Sequence, residues 1–182
     1  MDFQKTIFAD AWIAKPRVFR DERGFFLESY SKKAFAQIGL DGVEFVQDNH
    51  SLSRAKGVLR GLHFQLPPHT QTKLIRVTRG AIFDVVVDLR RSSPTFGKWQ
   101  GFELSPADFA MVVVPRGFAH GFCTLMEDTE VQYKVDTLYA PSHDSGIRWN
   151  DPDIGVSWPV NDPVLSDKDR KLPLFREFVS PF

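Results

Sequence analysis

The chain is short of several things, and each shortage excludes a class. It holds one cysteine, Cys123, in 182 residues, so no internal disulfide can form and a secreted disulfide framework is excluded. Its 23 Lys and Arg residues balance 23 Asp and Glu. A balanced charge gives no long-range pull on nucleic acid or on an anionic membrane, so any anionic ligand must be held by a few placed cations. No apolar run approaches membrane-spanning length. The first residues, Met1-Asp2-Phe3-Gln4-Lys5, lack the basic region and apolar run of a signal peptide. A cytoplasmic chain that binds neither nucleic acid nor membrane is expected. Repeats, low-complexity tracts and linkers are also missing, which points to one domain over 1–182.

What is present is a series of short apolar stretches broken by Gly, Pro, Asp and Ser. That spacing predicts an all-β sandwich or barrel with few helices. One short helix is expected over Lys32–Ile38, capped by Ser31 and ended by Gly39, with Phe35 and Ile38 on its buried face. Period-two alternation puts Phe83, Val85, Val87 and Leu89 on one apolar face. It aligns Tyr133 with Val131 and Val135, Lys73 with Ile75 and Val77, His120 with Phe122, and Gln47 and Asn49 with Phe45. Polar side chains thus recur on inward faces of several strands. Each costs on the order of 1–3 kcal/mol if buried without a partner, so a cluster of them inside a barrel marks a site. Arg60 and His63 have opposite parity; both face inward only if Gly61 carries a bulge.

Two segments carry chemistry. Gly57–Gln65 puts His63, a residue type that titrates near neutrality, on a strand with Arg60 and ahead of inward-facing Lys73. That grouping suits a base beside an anionic ligand. Pro115-Arg116-Gly117-Phe118-Ala119-His120 is a tight turn that feeds a histidine onto a strand, similar to the second motif of metal-binding cupins. The first cupin motif, however, reads here His63-Phe64-Gln65. Gln65 stands where a second histidine ligand would be, and Lys73 lies near the expected carboxylate. A lysine repels a divalent cation and offers no lone pair, so no metal is expected. Read alone, Tyr133 is a core tyrosine with a satisfied hydroxyl. Asp169, within the charge run Asp167–Lys171, is likewise a solvated surface residue.

Taken together and in order, Gly57–Gln65, Lys73, Pro115–His120 and Tyr133 resemble the metal-free cupin epimerases, the dTDP-4-dehydrorhamnose 3,5-epimerase family. The likeness runs from Arg23–Glu28 through Gln47–Ser51 to Gly146–Pro152 and Leu165–Asp169, nearly the whole chain. It implies a double-stranded β-helix (jelly-roll) barrel. It also implies epimerisation of dTDP-4-keto-6-deoxyglucose at carbons 3 and 5, without a cofactor, in dTDP-L-rhamnose biosynthesis. By the resemblance, His63 is the base, Asp169 its carboxylate partner, Lys73 the enolate stabiliser and Tyr133 the acid. Arg23, Glu28, Gln47, Asn49, Arg60, His120, Asp144 and Lys168 are substrate contacts, Asp144 standing where the family often has Glu. A homodimer is implied, in which Arg23 and Glu28 serve the partner's site.

Three other readings compete. A single-carbon epimerase of a related keto-deoxysugar would keep the same His, Lys and Tyr. A metal-dependent cupin would carry bound iron, zinc or manganese. A non-catalytic nucleotide-sugar-binding barrel would keep the arginines without needing His63 or Tyr133, and both are present.

Overall fold

A computed structural model describes residues 1–182. Two antiparallel sheets face each other. The first contains, in spatial order, β1 (Asp2–Lys5), β2 (Trp12–Lys15), β10 (Met111–Val114), β7 (Lys73–Arg79), β12 (Thr129–Val135) and β5 (Gln47–Ser53). The second contains β13 (Asp144–Gly146), β6 (Leu59–Gln65), β11 (Phe118–Thr124), β8 (Ile82–Asp88) and β9 (Trp99–Leu104). A separate hairpin, β3 (Val18–Asp21) with β4 (Gly24–Leu27), belongs to neither sheet. Helix is limited to single turns, chiefly α1 (Lys32–Phe35) and α2 (Asp167–Arg170). This is the expected all-β jelly-roll architecture.

The central core lies between the sheets. Ile75, Val77, Val112 and Val131 from the first meet Ile82, Val86, Phe118 and Phe122 from the second. Each sheet is also covered outside. Phe35 of α1 packs on Leu74, Met111 and Val113 of the six-stranded sheet, with Ile38 beside it. The C-terminal segment lays Phe175, Phe178 and Phe182 over Leu62, Val85, Val87 and Leu89 of the five-stranded one. β8 is therefore buried on both faces. The apolar row Phe83, Val85, Val87 and Leu89 points outward under that segment, and the row facing the barrel interior is Ile82, Asp84 and Val86.

Two local expectations need correction. Phe45 does not share a face with Gln47 and Asn49. It precedes β5 and packs on Tyr30, ring centroids 5.2 Å apart. The expected helix is one α turn followed by a 3-10 turn over Ala36–Ile38, and Ser31 stands at its N-cap without a side-chain bond. Gly39 does end it in the left-handed region, at φ 81°.

The bulge is present. β11 and β6 pair His120 with His63 and Phe122 with Arg60, so two steps of one strand face three of the other. Gly61 adopts φ 130°, a conformation that favours glycine. A Cβ there would sit 2.6 Å from Gly121 Cα. The extra residue restores parity, and Arg60 and His63 line one cavity.

Candidate active site

A cavity of about 470 Å³ opens at one end of the barrel. It meets a second of about 370 Å³, and the two share His63, Lys73, Tyr133 and Lys168 as common wall. These four come from β6, β7, β12 and α2, so the site is an assembly of elements far apart in sequence.

His63 is fixed from α2. Ser166 caps that turn, its hydroxyl accepting from the Asp169 amide at 3.1 Å. It also donates to Asp169 Oδ2 at 2.8 Å. The cap turns the charged run so that Asp169 is buried, and Asp169 Oδ1 bonds His63 Nε2. Burial pushes the Asp169 carboxyl up, but the His63 bond and charge and the Ser166 hydroxyl outweigh it and leave it below the ordinary carboxylate value. With Nε2 engaged, Nδ1 is the free ring nitrogen of His63, whose side chain stays 29% exposed at the cavity.

Lys73 is buried and has no carboxylate within ion-pairing distance. Burial lowers its ammonium to about 8, while the charges of Asp144 and Asp84 work the other way. Tyr133 sits between Asn49 on β5 and Ile75 on β7. Burial raises its phenol, so it is protonated at neutrality. His120 lies directly opposite His63 across the strand pair, and its Nε2 is 2.7 Å from Asp84 Oδ2. Asp84 is fully buried, and its other oxygen has no partner.

The donor set does not suit a metal ion. No three His, Cys, Asp or Glu side chains converge. The Gln65 amide is fully used instead. It donates to the carbonyls of His69 (2.7 Å) and Leu138 (3.3 Å) and accepts from the Ala140 amide (2.7 Å), stapling two loops.

Comparison with known proteins decides the family. The dTDP-4-dehydrorhamnose 3,5-epimerase family matches residues 5–177. A dTDP-4-dehydrorhamnose 3,5-epimerase of Shigella flexneri is 52% identical over 169 residues, 93% of each chain. The Bacillus anthracis enzyme of that name, solved with TDP and PPi bound, superposes with a TM-score of 0.92 at 54% identity, covering 95% of this chain and 98% of that one. A Legionella pneumophila dTDP-6-deoxy-D-glucose-3,5-epimerase in complex with dTDP-4-keto-L-rhamnose gives 0.90 at 41% identity, covering 95% and 92%.

The chain belongs to the dTDP-4-dehydrorhamnose 3,5-epimerase family. It is an isomerase acting at carbons 3 and 5 of a dTDP-4-keto-6-deoxy sugar.

As an epimerase of this family, the chain brings some expected substrate contacts together and leaves others apart. Gln47, Asn49, Asp144 and Lys168 line the smaller lobe, and Arg60 and His120 the larger. Arg60 reaches Ser53 Oγ at 3.4 Å. Gln47 Nε2 donates to Asn49 Oδ1 at 2.8 Å. Arg23 and Glu28 line neither lobe. Arg23 stands in the turn of the β3–β4 hairpin, 89% exposed and paired with Asp21. Glu28 is exposed just after β4.

Sequence reasoning missed four residues. Ser166 was readable as a helix cap followed by Asp-Lys-Asp. Asp84 was readable from its place inside the apolar run Phe83–Val87, but only as a lone buried charge. Ser51, whose buried hydroxyl has no partner at the cavity wall, follows the same parity as Asn49. Tyr139 lies in a loop without periodicity, so nothing local marked it.

Proposed function

We propose that the two lobes take dTDP-4-keto-6-deoxyglucose, with the sugar ring against their shared wall, and that the product feeds dTDP-L-rhamnose synthesis. Carbons 3 and 5 flank the carbon-4 ketone, which acidifies their protons. His63 Nδ1 removes each proton, and Asp169 stabilises the imidazolium that forms. Charge moves onto the ketone oxygen, where Lys73 meets the enolate with a charge-assisted hydrogen bond. Tyr133 returns a proton on the opposite ring face, inverting the centre; after each of the two inversions solvent takes the proton from His63 and reprotonates Tyr133. His120 contacts the sugar from the strand beside His63. Gln47, Asn49, Arg60 and Lys168 hold the nucleotide, with Arg23 and Glu28 supplied by a second copy in a cytoplasmic homodimer. The whole chain, 1–182, acts as one domain.

The observation that carries this reading is the shared wall. A carboxylate-held histidine, a buried lysine and a half-buried tyrosine border one cavity from three strands. The molecules bound by the Bacillus and Legionella relatives support a nucleotide-linked keto sugar.

The test is isotope exchange. In deuterium oxide with dTDP-4-keto-6-deoxyglucose, NMR is expected to show deuterium at carbons 3 and 5. His63→Ala is expected to abolish it at both, and Tyr133→Phe to leave exchange without full inversion. Unchanged exchange in His63→Ala would remove His63 from the mechanism.

A further inference from the structure

Asp144 stands among the residues implied to touch substrate, yet its carboxylate is already committed. One oxygen, Oδ2, accepts from the Tyr139 hydroxyl at 2.8 Å and from Lys168 Nζ. Tyr139 and Asp144 lie five residues apart in one segment, and Lys168 comes from another, 24 residues beyond Asp144. Asp144 opens β13, which pairs with β6 through Gln65. Tyr139 is in the loop that Gln65 staples, and Lys168 is in α2 beside Asp169. A single oxygen therefore ties a loop and a helix across the cavity mouth. Tyr139 remains 55% exposed there.

Asp144 also lines the lobe that holds Lys73 and Tyr133. Lys73 is ringed by charge. Asp144 on β13 and Asp84 on β8 favour its ammonium form, while burial and Lys168 on α2 oppose it. His63, held by Asp169, faces it from β6, His120 from β11 and Tyr133 from β12. For Tyr133, burial and then the Asp144 charge favour the protonated phenol, against Arg60. A carboxylate at this point thus acts in the same direction on the cation and on the acid. It also binds Lys168, the neighbour that works against Lys73.

We propose that Asp144 is a positioning residue: its carboxylate braces Tyr139 and Lys168 across the mouth and supplies the negative field in which Lys73 and Tyr133 work. This rests on the roles given above to Lys73 and Tyr133.

The test is a direct titration of Lys73. Protein carrying ¹³C-labelled lysine is followed by NMR, with the Lys73 signal assigned by its loss in Lys73→Arg. The wild-type midpoint is expected at about 8. Asp144→Asn is expected to lower it by about half a unit to one unit, and Asp144→Glu to restore it. The alkaline fall of kcat/KM is expected to shift by the same amount. A folded Asp144→Asn protein with an unmoved Lys73 midpoint overturns the proposal, even if KM rises or melting is lowered. A midpoint that moves while kcat/KM does not follow removes instead the enolate role of Lys73.

Discussion

His63 and Asp169 are 106 residues apart in the chain and joined by one hydrogen bond. The acid sits 4% exposed, so its charge is tolerable only because His63 and Ser166 share it, one at each oxygen. Asp169→Asn keeps the shape and removes the charge that stabilises the imidazolium. It is expected to lower kcat by about 10²–10⁴ with little change in KM, read by steady-state kinetics. The same substitution has a stability signature. A carboxyl held below its ordinary value stabilises the fold above the unfolded value, and that contribution is lost as pH falls through the folded one. Melting temperature is therefore expected to fall less steeply on acidification in Asp169→Asn than in wild type.

At the scale of elements, the site depends on one irregularity. Without the bulge at Gly61, Arg60 and His63 would point to opposite faces, and one would leave the cavity. A side chain at Gly61 meets the β11 backbone and is also disfavoured at φ 130°. Gly61→Ala is expected to cost roughly 2–4 kcal/mol, measured by denaturant unfolding, and to lower activity more than the stability loss explains. Unchanged activity in a stable Gly61→Ala protein would mean that the strand keeps its register by other means. The opposite face of the same strand pair is occupied. Leu62 and Phe64 lie under the C-terminal segment, so the bulge cannot relax outward without uncovering that apolar cluster.

At the scale of the whole molecule, the hairpin β3–β4 is the unsatisfied part. It exposes Phe19, Phe25 and Phe26 by 49%, 56% and 67%, and an apolar patch of that kind marks an interface. β5, which carries Gln47 and Asn49 beside the site, is an edge strand with one side unpaired. In a dimer with shared sites, Arg23→Ala and His63→Ala would disable different halves of one site. Mixing the two variants after subunit exchange is expected to recover roughly a quarter of wild-type activity, since half the dimers are mixed and each carries one intact site. No recovery, with exchange verified, would mean that Arg23 serves its own chain.

Much of this was legible in the residues. Period-two alternation marked β7 and β12 and turned Lys73 and Tyr133 inward, because a strand's side chains alternate whatever surrounds it. The opposite parity of Arg60 and His63, with Gly61 between them, located the bulge. The order of the motifs carried the family. Other things were decided only in three dimensions. Alternation says which residues share a face but not what covers it, so the outward turn of Phe83–Leu89 depended on the C-terminal segment. Burial of Asp169 depended on where α2 docks, since a charge run is solvated unless a fold supplies partners. Asp84 became the partner of His120 because β8 and β11 lie side by side, and Asp144 came to hold Tyr139 and Lys168 because the segment that carries Tyr139 and Asp144 meets α2 at one mouth. Local pattern is set by the geometry of the backbone, whereas charge pairing and shared cavities are set by which elements become neighbours.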